Sequence, residues 1–365
     1  MRVLIAPDRF SGTLTAVQAA EAMASGWRRR APGDELDLAP MADGGPGLVD
    51  VLHASLGGDL LAVTVRGPYG AQVPGSVLLS GGTAYVESAQ ACGLHLTPQA
   101  DRDPERASSY GVGELVGAAL DAGADTVCVG LGECGANDGG AGLLAALGAT
   151  TVPPGALERG ASGLAELSSV DLAAARDRVA GARLVAGTDV DSPLLGLIGA
   201  TNVHGRGRGI RDDRLLPVDA MLERLAAATD RRTALARGAG AGGGLGFALL
   251  LLGATPTPGV DLVTDAVGLA ARAGRADLVV TGEGSFDFSS RSGTVPYAVA
   301  AVAATALQPC IALAGQVLVG SREMRALGVE SAYSVADLVG EQAGADDPAG
   351  SLAALAERVA RSWSR

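Results

Sequence analysis

The chain has 365 residues, enough for two ordinary cores rather than one. Aromatic residues make up only 3% and the 54 glycines follow no triplet period, which excludes collagen and disorder and leaves cores of Ala, Val and Leu joined by tight turns. A formal net charge of −12 excludes the basic surface field that attracts nucleic acid or anionic lipid.

A strand is predicted over 2–6, with no basic-then-apolar leader before it, and a helix over 15–30 that Thr13 or Thr15 caps and Pro32 and Gly33 end. A short strand over 35–39 runs into Asp43, Gly44 and Gly45, ahead of a helix carrying Leu48, Val49, Val51 and Leu52. Period-two segments over 60–66 and 73–79 flank a turn at 67–70 and read as a hairpin. Further strands are expected over 84–87, 125–130, 183–188, 277–281, 309–314 and 329–334. Helices alternate with them over 109–122, 139–147, 212–228, 243–252, 262–273, 293–305 and 350–362. Such alternation implies α/β architecture with mainly parallel sheets and right-handed crossovers. The best breakpoints are the hairpin and the loop after Asp287, giving one discontinuous domain of 1–80 plus 288–365 and an inserted domain of 81–287. The apolar run 247–253 is too short to span a bilayer, and Cys92, Cys128, Cys134 and Cys310 lack metal-binding spacing, so a cytoplasmic protein with reduced core thiols is expected.

Chemistry concentrates in loops that follow strands, where open parallel sheets bind ligands. The apolar run Leu278, Val279, Val280 ends in a glycine turn that delivers Glu283 and Asp287. Asp8, Arg9 and Ser11 follow the first strand, and Asp43 precedes Gly44 and Gly45. Gly130, Gly132 and Gly135 match a dinucleotide fingerprint in a loop that also holds Asn137 and Asp138, but no acid ends a strand about 20 residues on, as ribose recognition requires. A second glycine loop, with Gly240, Gly243 and Gly244, opens another helix. Asp189 and Asp191 share a face of an extended segment and can approach one Mg²⁺, or they form a structural turn with Ser192 and Pro193. Residues 203–209 read as a basic, flexible loop with Arg206 and Arg208. Every cationic side chain apart from His is Arg, so a Walker-type phosphate loop, which needs Lys, is excluded.

Taken in order, the motifs resemble the bacterial two-domain glycerate kinase family over essentially the whole chain. They are Ile5-Ala-Pro-Asp8 with Phe10 and Gly12, Pro40-Met-Ala-Asp-Gly-Gly45, Ser109-Tyr-Gly-Val-Gly-Glu-Leu115, Asn137-Asp-Gly-Gly140, Asp189-Val with Pro193-Leu, Gly238-Ala-Gly-Ala with Gly243 to Gly246, and Thr281-Gly-Glu-Gly284 with Asp287. The resemblance implies two α/β domains, one flavodoxin-like, with a cleft between them, and transfer of the ATP γ-phosphoryl group to a hydroxyl of D-glycerate. Phosphoryl transfer needs metal-held phosphates, cations for the equatorial oxygens and a base near the attacking hydroxyl. On that basis Asp189, Asp287, Arg208 and Arg9 are the catalytic candidates, with Asp189 and Asp191 for Mg²⁺. Asp8, Ser11, Asp43, Gly44, Gly45 and Glu283 are placed at the substrate, and Gly132, Asn137, Asp138, Gly240, Gly243 and Gly244 at the nucleotide. The expected partners are ATP and a small hydroxy acid, without nucleic acid or membrane, and a homodimer stays open.

The departures from the family pattern lie in the cations. Where the family usually has Lys in the first loop this chain has Ser11, with Arg9 at a Ser position, and Ser285 and Thr294 stand where Arg and Lys are usual. Three alternatives therefore stay open beside the glycerate kinase reading: altered substrate or chemistry, a catalytically inactive nucleotide- or acid-binding relative, and, more weakly, a dinucleotide-binding oxidoreductase.

Overall fold

The computed structural model describes residues 1–10, 12–287 and 293–364. They fall into two compact units, Met1–Asp43 with Asp50–Gly57 and Val260–Arg365, and Gly44–Val49 with Gly58–Gly259.

The first unit is built on five parallel strands in the order Ser331–Ser334, Cys310–Ala314, Leu278–Thr281, Arg2–Ile5, Glu35–Leu38. Numbered along the chain this is 5-4-3-1-2, the flavodoxin-like order, whose topological switch point lies between Arg2–Ile5 and Leu278–Thr281. Leu278–Thr281 and Cys310–Ala314 are buried at every residue, which is why their sequences are continuously apolar instead of alternating. Helix Ala16–Arg30 begins at a capping box, where the Gln18 N–H donates to Thr15 Oγ1 at 3.2 Å and the Thr15 N–H to Gln18 Oε1 at 3.0 Å. It packs Met23 and Trp27 into a core shared with Leu352, Leu355 and Val359 of helix Pro348–Trp363.

The second unit holds a six-stranded sheet in the order Thr255–Thr257, Arg183–Gly187, Thr126–Gly130, Thr83–Glu87, Gln72–Ser80, Asp59–Arg66. The first four strands are parallel and the last two form an antiparallel hairpin. Its core is aliphatic, with Leu115, Leu143, Leu222 and Leu225 among its fully buried residues.

Two expectations are corrected here. The breakpoints at 80 and 287 both move, because hairpin 59–80 pairs with Thr83–Glu87 in the second unit, while Leu278–Thr281 lies between two strands of the first. Strand partners are chosen by long-range packing, which a local turn signal does not report. The loop expected over 203–209 is the last part of helix Ala200–Arg208, which Gly209 ends at φ 101°. Gly205 makes this helix workable by letting Ile210 and Leu215 approach closely. Among the described residues no helix is long and apolar enough to cross a membrane, and all four cysteines are buried thiols.

Candidate active site

In the first unit the loops after three neighbouring parallel strands open into one cavity of about 560 Å³. The loop after Arg2–Ile5 supplies Asp8 and Arg9, the turn after Leu278–Thr281 supplies Glu283 and Asp287, and Asp43 joins them. The cavity therefore lies at the switch point, where the neighbouring loops diverge and leave room for a ligand. The loops are fixed to one another by main-chain bonds. The Asp8 N–H donates to the Gly282 carbonyl at 2.8 Å, and the Gly315 N–H to the Glu283 carbonyl at 3.1 Å. Gly282 is required because a Cβ there would sit 2.0 Å from the Leu313 carbonyl oxygen. Beneath them, buried Thr281 donates its hydroxyl to the Ala6 carbonyl at 3.0 Å.

Asp8 is the electrostatic centre of this cavity. Burial pushes its carboxyl up to about 7, and the like charges of Asp43 and Glu283 push the same way. The Arg9 N–H, bonded to Asp8 Oδ1 at 2.7 Å, and the Arg9 guanidinium oppose the rise without cancelling it. A carboxylate held near neutrality can take a proton and return it, which an ordinary exposed aspartate does poorly. The Asp287 carboxylate accepts from the Ser285 hydroxyl at 3.2 Å. Ser11 lies outside the described residues.

The cavity also contains Thr294, and two groups that sequence reasoning passed over, Gln316 and Glu341. Gln316 had a usable signal, since Gly315 and Gln316 follow the buried strand Cys310–Ala314 just as Glu283 follows Leu278–Thr281. Glu341 begins helix Glu341–Asp346 and had none.

In the second unit the carboxyl ends of the parallel strands carry Glu87, the loop 130–140 and the loop 188–193. Glu87 was also missed; it is buried and accepts the Gly47 N–H at 3.0 Å. The glycines of the two glycine-rich loops turn out to serve chain packing. A Cβ at Gly132 would meet Gly45 at 2.3 Å, at Gly243 the Ala136 carbonyl at 2.0 Å, at Gly244 Gly139 at 2.4 Å, and at Gly240 the Pro193 carbonyl at 2.4 Å. Gly44, at φ 89°, lies 3.1 Å from Gly259 by the same measure. The loops 130–140 and 238–246 are thus interlocked, with the Gly139 N–H bonded to the Gly243 carbonyl at 3.0 Å.

Three of the expected ligand contacts are buried groups bonded within the chain. Asp138 is fully buried, and its carboxylate accepts from the Ser109 N–H and hydroxyl, both at 2.9 Å, from Gly140 at 3.0 Å and from Gly142 at 3.1 Å. It ties the start of helix Tyr110–Asp121 to that of Ala141–Ala146; burial raises its carboxyl despite these donors. Asn137, also fully buried, donates to Thr201 Oγ1 at 3.0 Å and accepts from Arg208 at 3.4 Å. Arg208 is only 8% exposed and donates to the carbonyls of Cys134 and Ala200. Its guanidinium, expected on a flexible loop, faces the interior because the segment that carries it is helical.

Asp189 and Asp191 follow strand Arg183–Gly187 and are exposed, and Asp191 is ion-paired with Arg237. Among the described residues no group of three His, Cys, Asp or Glu could hold a metal ion. The hydroxyls of Ser88, directly after strand Thr83–Glu87, and of Ser192, in the loop 188–193, are buried and have no hydrogen-bond partner among the described residues.

A flavodoxin-like unit with an acid-lined cavity at its switch point, joined in one chain to a second parallel α/β unit with interlocked glycine loops, defines the class. The chain belongs to the glycerate kinase family, whose profile matches residues 3–364. It is 37% identical to a glycerate kinase of Bacillus subtilis (strain 168), over 92% of this chain and 90% of that one. It is 35% identical to a glycerate 2-kinase of Escherichia coli (strain K12), over 93% of this chain and 92% of the relative. A crystal structure assigned as glycerate kinase 2 from Salmonella typhimurium LT2 superposes with a TM-score of 0.86 at 34% identity, covering 99% of this chain and 98% of the other. None of these similarities points toward an oxidoreductase.

Proposed function

We propose that the protein transfers the γ-phosphoryl group of ATP to a hydroxyl of D-glycerate or a closely related small hydroxy acid. The observation that carries this reading is Asp8, a carboxyl pushed up to about 7 inside a cavity that also holds Arg9. In the reaction the substrate hydroxyl oxygen bonds to the γ-phosphorus, the bond to the ADP oxygen breaks, and the hydroxyl proton passes to Asp8. Arg9 supplies the cation for the carboxylate of the acid or for the transferring group, while the acceptor for the remaining hydroxyl comes from among Asp43, Glu283 and Asp287. This assigns the base to Asp8 in preference to Asp189. The nucleotide is assigned to the strand ends of the second unit, with Ser88 and Ser192 as phosphate donors. Mg²⁺ held there by Asp189 would neutralise phosphate charge. Support for a cytoplasmic protein comes from its four free, buried thiols.

The test is ADP release with ATP, Mg²⁺ and a panel of hydroxy acids. D-glycerate should give the highest kcat/KM, and Asp8→Asn should lower kcat by roughly 10²–10⁴ while ATP still protects the protein against thermal unfolding. Failure of every acid to release ADP, or an Asp8→Asn variant as fast as wild type, would reject the reading.

A further inference from the structure

A second cavity, of about 320 Å³, lies wholly within the second unit and plays no part in the chemistry above. Three arginines from separate segments line it: Arg66 at the end of strand Asp59–Arg66, Arg106 just before helix Tyr110–Asp121, and Arg159 just before helix Gly160–Gly163. Tyr69, Tyr110 and Glu158 complete its walls.

Two glycines hold these segments together. A Cβ at Gly111 would sit 1.9 Å from the Arg66 carbonyl oxygen, and one at Gly160 2.6 Å from the Arg106 main chain. The Ser108 N–H donates to the Pro68 carbonyl at 2.9 Å, and the Ser162 N–H to the Glu105 carbonyl at 2.8 Å. The arginines are therefore presented from a fixed platform.

Their charges are not matched. Arg66 lies over the Tyr110 ring, 3.7 Å from its centroid, and pairs with Glu158 at 3.1 Å and Glu114 at 3.6 Å. Arg106 and Arg159 have no ion-pair or side-chain hydrogen-bond partner among the described residues. Two guanidiniums, both on exposed residues and neither in an ion pair, thus line one cavity together with Arg66. The Tyr110 N–H, at the start of helix Tyr110–Asp121, reaches the Ser108 hydroxyl at 3.2 Å.

We propose that this cavity binds a small organic phosphomonoester. Such a group carries about two negative charges at neutral pH and three acceptor oxygens, enough for two planar guanidinium forks. The Tyr69 ring then covers the organic part. The volume suits a ligand of a few carbons and leaves a macromolecule outside. The assignment does not depend on the kinase reading.

Calorimetric titration with glycerol 3-phosphate tests it, since this probe lacks the carboxylate expected at the other cavity. Wild type should show one saturable site, and the Arg106→Ala/Arg159→Ala variant should bind at least about tenfold more weakly, one charge-assisted contact being worth roughly that factor. Arg106→Lys/Arg159→Lys, which keeps the charges but loses the forks, should fall between the two. Equal binding by wild type and the double alanine variant, tighter binding of succinate than of glycerol 3-phosphate, or no binding by wild type up to about 10 mM would overturn the proposal.

Discussion

The elevated proton affinity of Asp8 has consequences that reach beyond chemistry. Its carboxyl titrates near 3.8 in the unfolded chain and at about 7 in the folded one, so between these values the folded state holds a proton that the unfolded state has lost. Stability from this group is complete at low pH and falls as pH rises through that window. Asp8→Asn should therefore melt a few degrees above wild type at pH 8, with the difference shrinking toward pH 4, as scanning calorimetry would show. Catalysis has the opposite sign, because the base must be ionised: kcat/KM should drop about tenfold per pH unit below 7 in wild type. Asp138 behaves differently. Asp138→Ala strands the Ser109, Gly140 and Gly142 donors and should cost about 3 kcal/mol or more in urea unfolding, whereas Asp138→Asn, which keeps an acceptor, should cost less. Both aspartates lie in loops that follow parallel strands, and that position alone does not separate the site group from the interior pin. The difference is that Asp138 meets four donors and Asp8 meets two other carboxylates.

At the level of elements, the glycines show how far sequence reasoning reaches. Gly240, Gly243 and Gly244 were read as openings for phosphate, because a missing Cβ lets any backbone approach; the backbone that approaches is another loop of the same chain. Gly26 gives a sharp test of such packing. In an exposed helix, Gly→Ala stabilises by about 1 kcal/mol. In helix Ala16–Arg30 the new Cβ would lie 1.9 Å from the Ala353 carbonyl oxygen, so Gly26→Ala should instead lower the melting temperature by several degrees. Helix Ala200–Arg208 is the reverse case. Its end, with Gly205, Gly207 and two arginines, reads as a loop from propensity alone, yet the packing of Gly205 against Ile210 and Leu215 keeps it helical and carries Arg208 inside.

Across the whole molecule, the two units have separate cores, one built around Met23, Trp27 and Leu355 and the other around Leu115, Leu143 and Leu222. Both tryptophans, Trp27 and Trp363, belong to the first unit. Tryptophan fluorescence should therefore follow the first core alone. Asp138→Ala should shift the circular-dichroism unfolding curve while leaving the fluorescence midpoint nearly unchanged, and coincident shifts of both would show that the units unfold together. The α/β class, the parallel strands and most strand-end loops were legible in the sequence, because continuous apolar runs and 3.6-residue periodicity are local consequences of burial. So was the placing of Asp8, Glu283 and Asp287 just beyond strand ends. What only the tertiary structure decided is which strands pair, and hence which carboxylates share a cavity and which guanidiniums lie buried. Those outcomes depend on contacts between residues as far apart as Ile5 and Val280, and on the dielectric and charge each group then meets, neither of which is written in its neighbours along the chain.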